Sequence, residues 1–325
     1  MHPEQILELI RARNGGRPAP DGIKIISDTT DFFKVNYQDV ILLGEAPFWV
    51  KRYEKEGRFG LDDEPKYWVR RAIDLRDGST KILKLVFHEE FVSRIGDLSF
   101  ACFRSPRKEA RILRLVAGHP NFMHGQGIPD QAGNEVRVLE FIPGQRLDEL
   151  VARHDDQDHH HYFHQTFPGL LDLFITMTEA INFLHQHGEK HGDIRRDHLL
   201  WDRERQVGRW IDFDYNYRHG ESRFGFDLLG LGNILIYLAG QGDVLVADLH
   251  RDRRALFDTL WGEDLNISYH NRVANLQKIF PYLPESLNYI LLHFSRGAQI
   301  FYDSTSQMLD DLARARADLK TLTGR

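Results

Sequence analysis

Two acids, each set at the end of an apolar segment, constrain this chain more than any other feature. The first lies in His191-Gly192-Asp193-Ile194-Arg195-Arg196-Asp197-His198-Leu199-Leu200-Trp201, which reads as a short loop between a helix and a buried strand. The second lies in Arg209-Trp210-Ile211-Asp212-Phe213-Asp214, an apolar strand that stops abruptly in an acid, with only Phe213 between two carboxylates. Acids at element ends suit one joint task. One orients a nucleophilic hydroxyl, and the other holds a divalent cation against phosphate oxygens.

At 325 residues and 42% hydrophobic content, the chain can build one large domain or two lobes. A formal net charge of −6 gives no global attraction to nucleic acid or to an anionic membrane, and neither partner is expected. The single Cys102 rules out an intramolecular disulfide and fits a reducing compartment. Met1-His2-Pro3-Glu4-Gln5 lacks an apolar signal core, and the longest apolar-looking stretch, Leu228 to Ala239, is too short to span a bilayer. A soluble cytoplasmic protein is expected.

Residues 5–13 alternate charge and aliphatic bulk at helical spacing, and Asn14-Gly15-Gly16 stops that helix before a Pro-rich linker. This reads as a short docking helix or tether. From Phe33 to Val69 the text is strand-like. Asp77-Gly78 then marks a hairpin turn, and Thr80 to Phe87 returns as a strand. Period two puts Lys84 on one face with Ile82 and Val86, where its ammonium either needs an anionic partner or snorkels to water.

Ser105-Pro106 is a helix start, with Ser as N-cap and Pro at the first position, and the amphipathic run from Lys108 to Val116 ends at Gly118. Glu135 to Glu140 reads as a strand after the Gly133-Asn134 turn, and Arg146 to Val151 begins a helix. The tract from His154 to His161, with His164, suggests imidazole and carboxylate ligands. Its residues follow one another directly, as in a solvated loop, so no metal site is expected there. Leu170 to His185 reads as a long, mostly buried helix, and the chain from Asp227 onward is helical, with Lys320 to Arg325 a frayed tail.

The two acidic stretches resemble the catalytic loop (H-R-D-x-x-x-x-N) and metal-binding loop (D-F-G) of the protein-kinase-like superfamily, with Gly192, His198 and Asp214 where Arg, Asn and Gly are usual. The helix ending at Gly118 and His119-Pro120-Asn121 resembles the kinase αC helix and its exit loop, and the resemblance runs from about Val40 to Leu312. It implies an α+β, two-lobed fold: a small antiparallel sheet with one αC helix, then a mostly helical lobe. The implied divisions are an N-terminal helix and linker over 1–36, an N-lobe over 37–142 and a C-lobe over 143–325.

The resemblance further implies ATP and Mg²⁺ (or Mn²⁺) as cofactors. Asp193 would orient the acceptor hydroxyl, and Arg195 would neutralise charge on the transferred phosphate. Lys84, paired with Glu109, would hold the α/β-phosphates. Asp212 and His198 would hold metal, and Leu139, Glu140 and Ile142 would line the adenine. His191 would pack under Phe213, and Asp227 would tie down the catalytic-loop backbone. A phosphate flap would fall on Gly44, in Gly44-Glu45-Ala46-Pro47-Phe48-Trp49, or on Gly57-Arg58-Phe59-Gly60.

The implied activity is a protein serine/threonine kinase. Only a short segment, 213–226, separates Asp212 from Asp227, and no A-P-E motif occurs. Both points, with the H-G-D form, keep open a small-molecule or sugar (lipopolysaccharide-type) kinase. The poor flap match and His198 keep open a pseudokinase acting as an ATP-binding scaffold.

Overall fold

Ile6 and Ile10, four residues apart on one face of α1 (Pro3–Arg13), are fully buried against Val40, Trp49 and Leu75. The Arg13 guanidinium fastens the same helix by donating to the carbonyls of Leu75 at 3.3 Å and Arg76 at 2.8 Å. The N-terminal helix is therefore docked. In the computed structural model, which describes residues 1–56, 64–95, 98–218 and 222–323, the chain divides into two compact units. The first holds residues 1–89, 104–119 and 123–142; the second holds 90–103, 120–122 and 143–325.

The first unit is built on strands β1 (Ile25–Ile26), β2 (Val40–Leu43), β3 (Ala46–Glu56), β4 (Glu64–Asp74) and β5 (Thr80–Lys84). The second unit takes the next hairpin, β6 (Glu90–Ile95) and β7 (Leu98–Arg104), all but its last residue. Helix α2 (Pro106–Leu115) and strands β8 (Gly125–Pro129) and β9 (Glu135–Glu140) complete the first. Its seven-stranded sheet runs β1-β2-β3-β4-β5-β9-β8. Every pair is antiparallel except the short β1–β2 pair, which is parallel. Inward-facing Ile41, Phe48, Val50, Ala72, Leu83, Val136 and Val138 form its core, as period-two burial requires.

Helix α2 starts where the sequence says. The Ser105 side chain accepts from the Lys108 N–H at 3.3 Å, Pro106 occupies the first helical position, and Gly118 follows the end with φ +81°. Strand β5 is shorter than expected, ending at Lys84 rather than Phe87. The Leu85 N–H still reaches the Trp68 carbonyl at 2.8 Å, but the chain then leaves the ladder and Phe87 stacks on Trp68 at 4.1 Å.

The second unit is mostly helical. Strands β10 (Gly144–Arg146), β11 (Leu199–Asp202) and β12 (Val207–Trp210) form one small sheet, and β13 (Tyr215–Arg218) joins β7 and β6 in another. The helices are α3 (Leu147–Ala152), α4 (His159–Gln165), α5 (Phe167–Gln186), α6 (Gly225–Ala239), α7 (Val246–Asp252), α8 (Arg254–Phe257), α9 (Glu285–Leu292) and α10 (Thr305–Thr323). Helix α5 packs against α6 and α10. Among the described residues it, rather than Leu228 to Ala239, is the helix long and apolar enough to cross a membrane by length and composition, and 50% of its apolar 18-residue window is buried within the fold.

Two local expectations change. The histidine tract is not a solvated loop, because Asp158 caps α4 by accepting from the His161 N–H at 3.0 Å. His159 bonds the Tyr282 hydroxyl at 2.6 Å and the Ala239 carbonyl at 2.8 Å, and stacks on Phe280 at 3.4 Å. The C-terminal tail stays helical to Thr323, since Met308, Leu312, Ala315 and Leu319 continue one buried face.

Candidate functional site

The sequence-predicted residues fall into two sets, one in each unit. In the first unit, β5 and β9 pair with Lys84 opposite Arg137 and Ile82 opposite Leu139. The Lys84 ammonium donates to Glu109 Oε1 at 2.8 Å, and Arg137 Nε donates to Glu109 Oε2 at 3.0 Å. Glu109 is fully buried, and Lys84 is 5% exposed. A buried carboxylate needs such partners, and here it has two. Leu139 and Glu140 end β9, with Ile142 two residues on; the Glu140 N–H donates to the His124 carbonyl at 2.9 Å and its carboxylate accepts from the His124 N–H at 2.6 Å.

Gly44 is not brought to Lys84. With Glu45 it makes the tight turn between β2 and β3, at φ +59°. Leu43 pairs with Ala46, Phe48 with Asp74 and Ile73 with Thr80, so this turn sits at the Thr80 end of the sheet. Lys84 closes the other end of β5, roughly 13 Å along the strand at the usual rise per residue. Register therefore separates Gly44 from Lys84, and a flap over Lys84 is not formed by this turn. The alternative, Gly57-Arg58-Phe59-Gly60, lies outside the described residues.

In the second unit, one buried acid organises the loop that follows α5. Asp227, fully buried in the first turn of α6, accepts the N–H of His191 at 2.8 Å through Oδ2 and that of Gly192 at 2.8 Å through Oδ1. His185 Nε2 lies 3.0 Å from the same Oδ2, and its Nδ1 lies 2.6 Å from the Thr305 hydroxyl. Gly192 takes φ +88°, which its missing Cβ permits. His191 is buried edge-on to Phe213 at 5.9 Å and to Trp210 at 5.2 Å.

This scaffold gathers Asp193, His198 and Asp212. His198 Nδ1 is 2.9 Å from the Asp193 carbonyl, which can only accept, so that nitrogen carries the proton. In the neutral ring Nε2 then presents a lone pair, and it lies 3.6 Å from Asp212 Oδ2. Asp193 Oδ2 is 3.4 Å from the same imidazole. Asp212 sits at φ +63°, a left-handed conformation that Asp tolerates better than most side chains. The Ile211 N–H donating to the His198 carbonyl at 3.0 Å, and the Trp210 N–H donating to that of Asn121 at 2.9 Å, hold the strand end that carries it.

Burial raises the Asp193 carboxyl above its ordinary range; His198 and Arg195 pull it back, while Asp212 and Asp214 push it further up. Arg195 is bound in a fork by Asp197, at 2.9 and 2.6 Å. Burial pushes the Asp197 carboxyl up, but His198 and Arg195 outweigh it and hold that group below its usual value. Asp214 is 1% exposed.

Among the described residues no group of three or more His, Cys, Asp or Glu side chains converges as a metal cage. One imidazole nitrogen and one carboxylate fit a cation whose remaining ligands are phosphate and water oxygens, the usual manner of Mg²⁺. The imidazole adds a ligand better suited to a transition ion.

Sequence reasoning missed Arg137, the Asp197 fork and the hairpin that joins β13. For Arg137 a signal existed: a lone cation between Val136 and Val138 in an apolar strand needs an acid.

No family model matches the chain. It is similar to ribosomal protein S6 kinase alpha-2 of Homo sapiens, 26% identical over 132 residues, which is 39% of this chain and 16% of that protein. It is also similar to CDPK-related kinase 4 of Arabidopsis thaliana, 21% identical over 228 residues, 64% of this chain and 34% of that one. Each match thus spans about a third or less of the relative's length. The Mycobacterium tuberculosis PknI kinase domain superposes with a TM-score of 0.49 and 13% identity, over 86% of this chain and 99% of that one. The chain is thus distantly similar in sequence to proteins named as kinases, over part of its length and of theirs. Its fold is mixed, with a seven-stranded sheet in the first unit and a mostly helical second unit.

Proposed function

We propose that the protein transfers the γ-phosphate of ATP to a hydroxyl. The observation that supports this most is Asp227 holding two successive backbone N–H groups of the loop whose Asp193 and His198 lie beside Asp212. An acid kept in place by a buried clamp is preorganised for positioning an acceptor.

In this reading Asp193 accepts a hydrogen bond from the acceptor hydroxyl and aligns its oxygen, and its raised proton affinity suits it to receive that proton. Asp212 and His198 hold Mg²⁺ or Mn²⁺, which when bound bridges and neutralises phosphate oxygens. Lys84, paired with Glu109, contacts the α/β-phosphates. Arg195 balances charge on the transferred group; its fork with Asp197 fixes where that charge sits. Leu139, Glu140 and Ile142 line the adenine, the last two through backbone groups.

A protein Ser/Thr hydroxyl is the first acceptor to test, because the sequence resembles that branch and one relative is named as a kinase of a ribosomal protein. One observation favours a small-molecule or sugar hydroxyl instead. Tyr215 to Arg218, in the short segment after Asp212, is already paired with β7. Phe91 packs on Tyr215 at 5.6 Å and Phe100 on Tyr217 at 5.8 Å. The backbone groups of β13 that face β7 are thereby taken, and only those on its outer edge are left for an extended peptide.

The test is γ-labelled ATP with the purified protein and size-separated cell extract, with Asp193→Ala alongside. Label on macromolecules that falls about 10²- to 10⁴-fold in the variant supports a protein kinase. Label confined to the small fraction moves the assignment to a metabolite or sugar kinase. ATP binding without transfer makes the chain a nucleotide-binding scaffold and removes the catalytic roles.

A further inference from the structure

Lys84 and Arg137 face each other across the β5–β9 ladder, and like charges so placed repel. The Glu109 carboxylate resolves this by giving one oxygen to each, Oε1 to Lys84 at 2.8 Å and Oε2 to Arg137 at 3.0 Å. The two cations are not equivalent. Arg137 is 1% exposed, and its guanidinium has three tethers: Glu109, the Glu135 carbonyl at 2.8 Å and the Leu85 carbonyl at 3.3 Å. Lys84 offers a point charge on a flexible stem. Its ammonium can shift toward a phosphate, whereas the fork of Arg137 is fixed by the Glu135 carbonyl of its own strand and the Leu85 carbonyl just past β5.

A carboxylate held by lysine alone faces a conflict. If a phosphate draws the ammonium away, a buried anion is left without a cation, which is strongly unfavourable. We propose that Arg137 is a positioning residue that keeps Glu109, and with it the first turn of α2, in place while Lys84 engages a nucleotide phosphate. This rests on the nucleotide-binding reading above. It assigns to Arg137 a task that a Lys–Glu pair alone would leave to the lysine.

Two measurements test it. The first needs no nucleotide: thermal unfolding of wild type, Lys84→Met, Arg137→Met and the double variant. Either single variant leaves Glu109 one cation, and the double leaves none. The double variant is therefore expected to lose more Tm than the two singles together. Additive or smaller losses overturn the shared clamp.

The second is calorimetric titration with Mg·ATP well below the Tm of each variant. Arg137→Met is expected to weaken binding about 10- to 100-fold, with Arg137→Lys recovering part of it. A residue that only stabilised the fold would lower Tm and leave the affinity of folded protein unchanged, and that result overturns the positioning role. Wild-type protein that binds no Mg·ATP sinks the nucleotide reading and the phosphate half of this inference. The clamp itself is judged by the unfolding arm alone.

Discussion

His198 Nε2 stands 3.6 Å from Asp212 Oδ2, with the opposite ring nitrogen held by the Asp193 carbonyl at 2.9 Å. A cation bound there would meet Nε2 of the neutral ring and the Asp212 carboxylate together, with the ring oriented from its far side as histidine ligands usually are. Imidazole favours Mn²⁺ over the harder Mg²⁺. Transfer by the wild-type protein is therefore expected to run faster with Mn²⁺. His198→Asn, which restores an oxygen ligand, is expected to reverse the order, with metal affinity changing about 10-fold or more. Equal or better turnover of the wild type with Mg²⁺ argues against direct ligation by His198.

The Asp227 carboxylate accepts from two backbone N–H groups and faces His185, all within a fully buried site. Asp227→Ala leaves those donors without an acceptor, so it is expected to cost about 3–5 kcal/mol, while Asp227→Asn, which keeps one acceptor oxygen, costs about 1–3 kcal/mol. Urea unfolding measures both. A loss under about 1 kcal/mol for Asp227→Ala would mean that the loop is held by other contacts.

These two relationships mark what a one-dimensional reading reaches. The helix start at Ser105-Pro106 and the turn at Asp77-Gly78 are written locally, in capping and turn chemistry, and the folded chain shows them where the residues say. The strand lysine by itself asks only for some acid; Glu109 is singled out by the likeness of α2 to the kinase αC helix, since composition alone would leave it a solvated helix acid. Arg137, a cation in an apolar strand, signals only that it needs an acid; its place opposite Lys84 depends on the pairing of β5 with β9, which no local pattern specifies. Gly44 misleads for the same reason. A glycine between two strands looks alike at either end of a sheet, and only register says which end it occupies. The union of β13 with β6 and β7 is likewise a long-range pairing.

Helix α6 passes Phe294 so closely that a Cβ built at Gly232 would collide with that ring. Phe294 is 2% exposed, packed behind by Tyr302 at 5.9 Å, and has little room to yield. Gly232→Ala, which elsewhere in a helix would stabilise, is here expected to destabilise by about 1–3 kcal/mol. Denaturant unfolding at neutral pH decides the sign. A stabilised variant would show that the ring moves aside without cost.

Burial pushes His159 down from 6.5 to about 4, outweighing its bond to the Ala239 carbonyl. Arg253 and His160 also favour the neutral ring, and Asp158 opposes them. Because the folded-state value is the lower one, the unfolded chain binds the extra proton first. The contribution of His159 is then complete above about pH 6.5 and is lost as pH falls toward about 4, by on the order of 1–2 kcal/mol once solvent screening is allowed for. The mechanism is specific. A protonated ring cannot accept from the Tyr282 hydroxyl at Nδ1 and stacks as a cation in a half-buried site against Phe280. Unfolding free energies of wild type and His159→Gln across pH 4 to 7 are expected to converge as the pH drops. Parallel curves would assign the acid loss to other groups and leave His159 a packing residue at every pH.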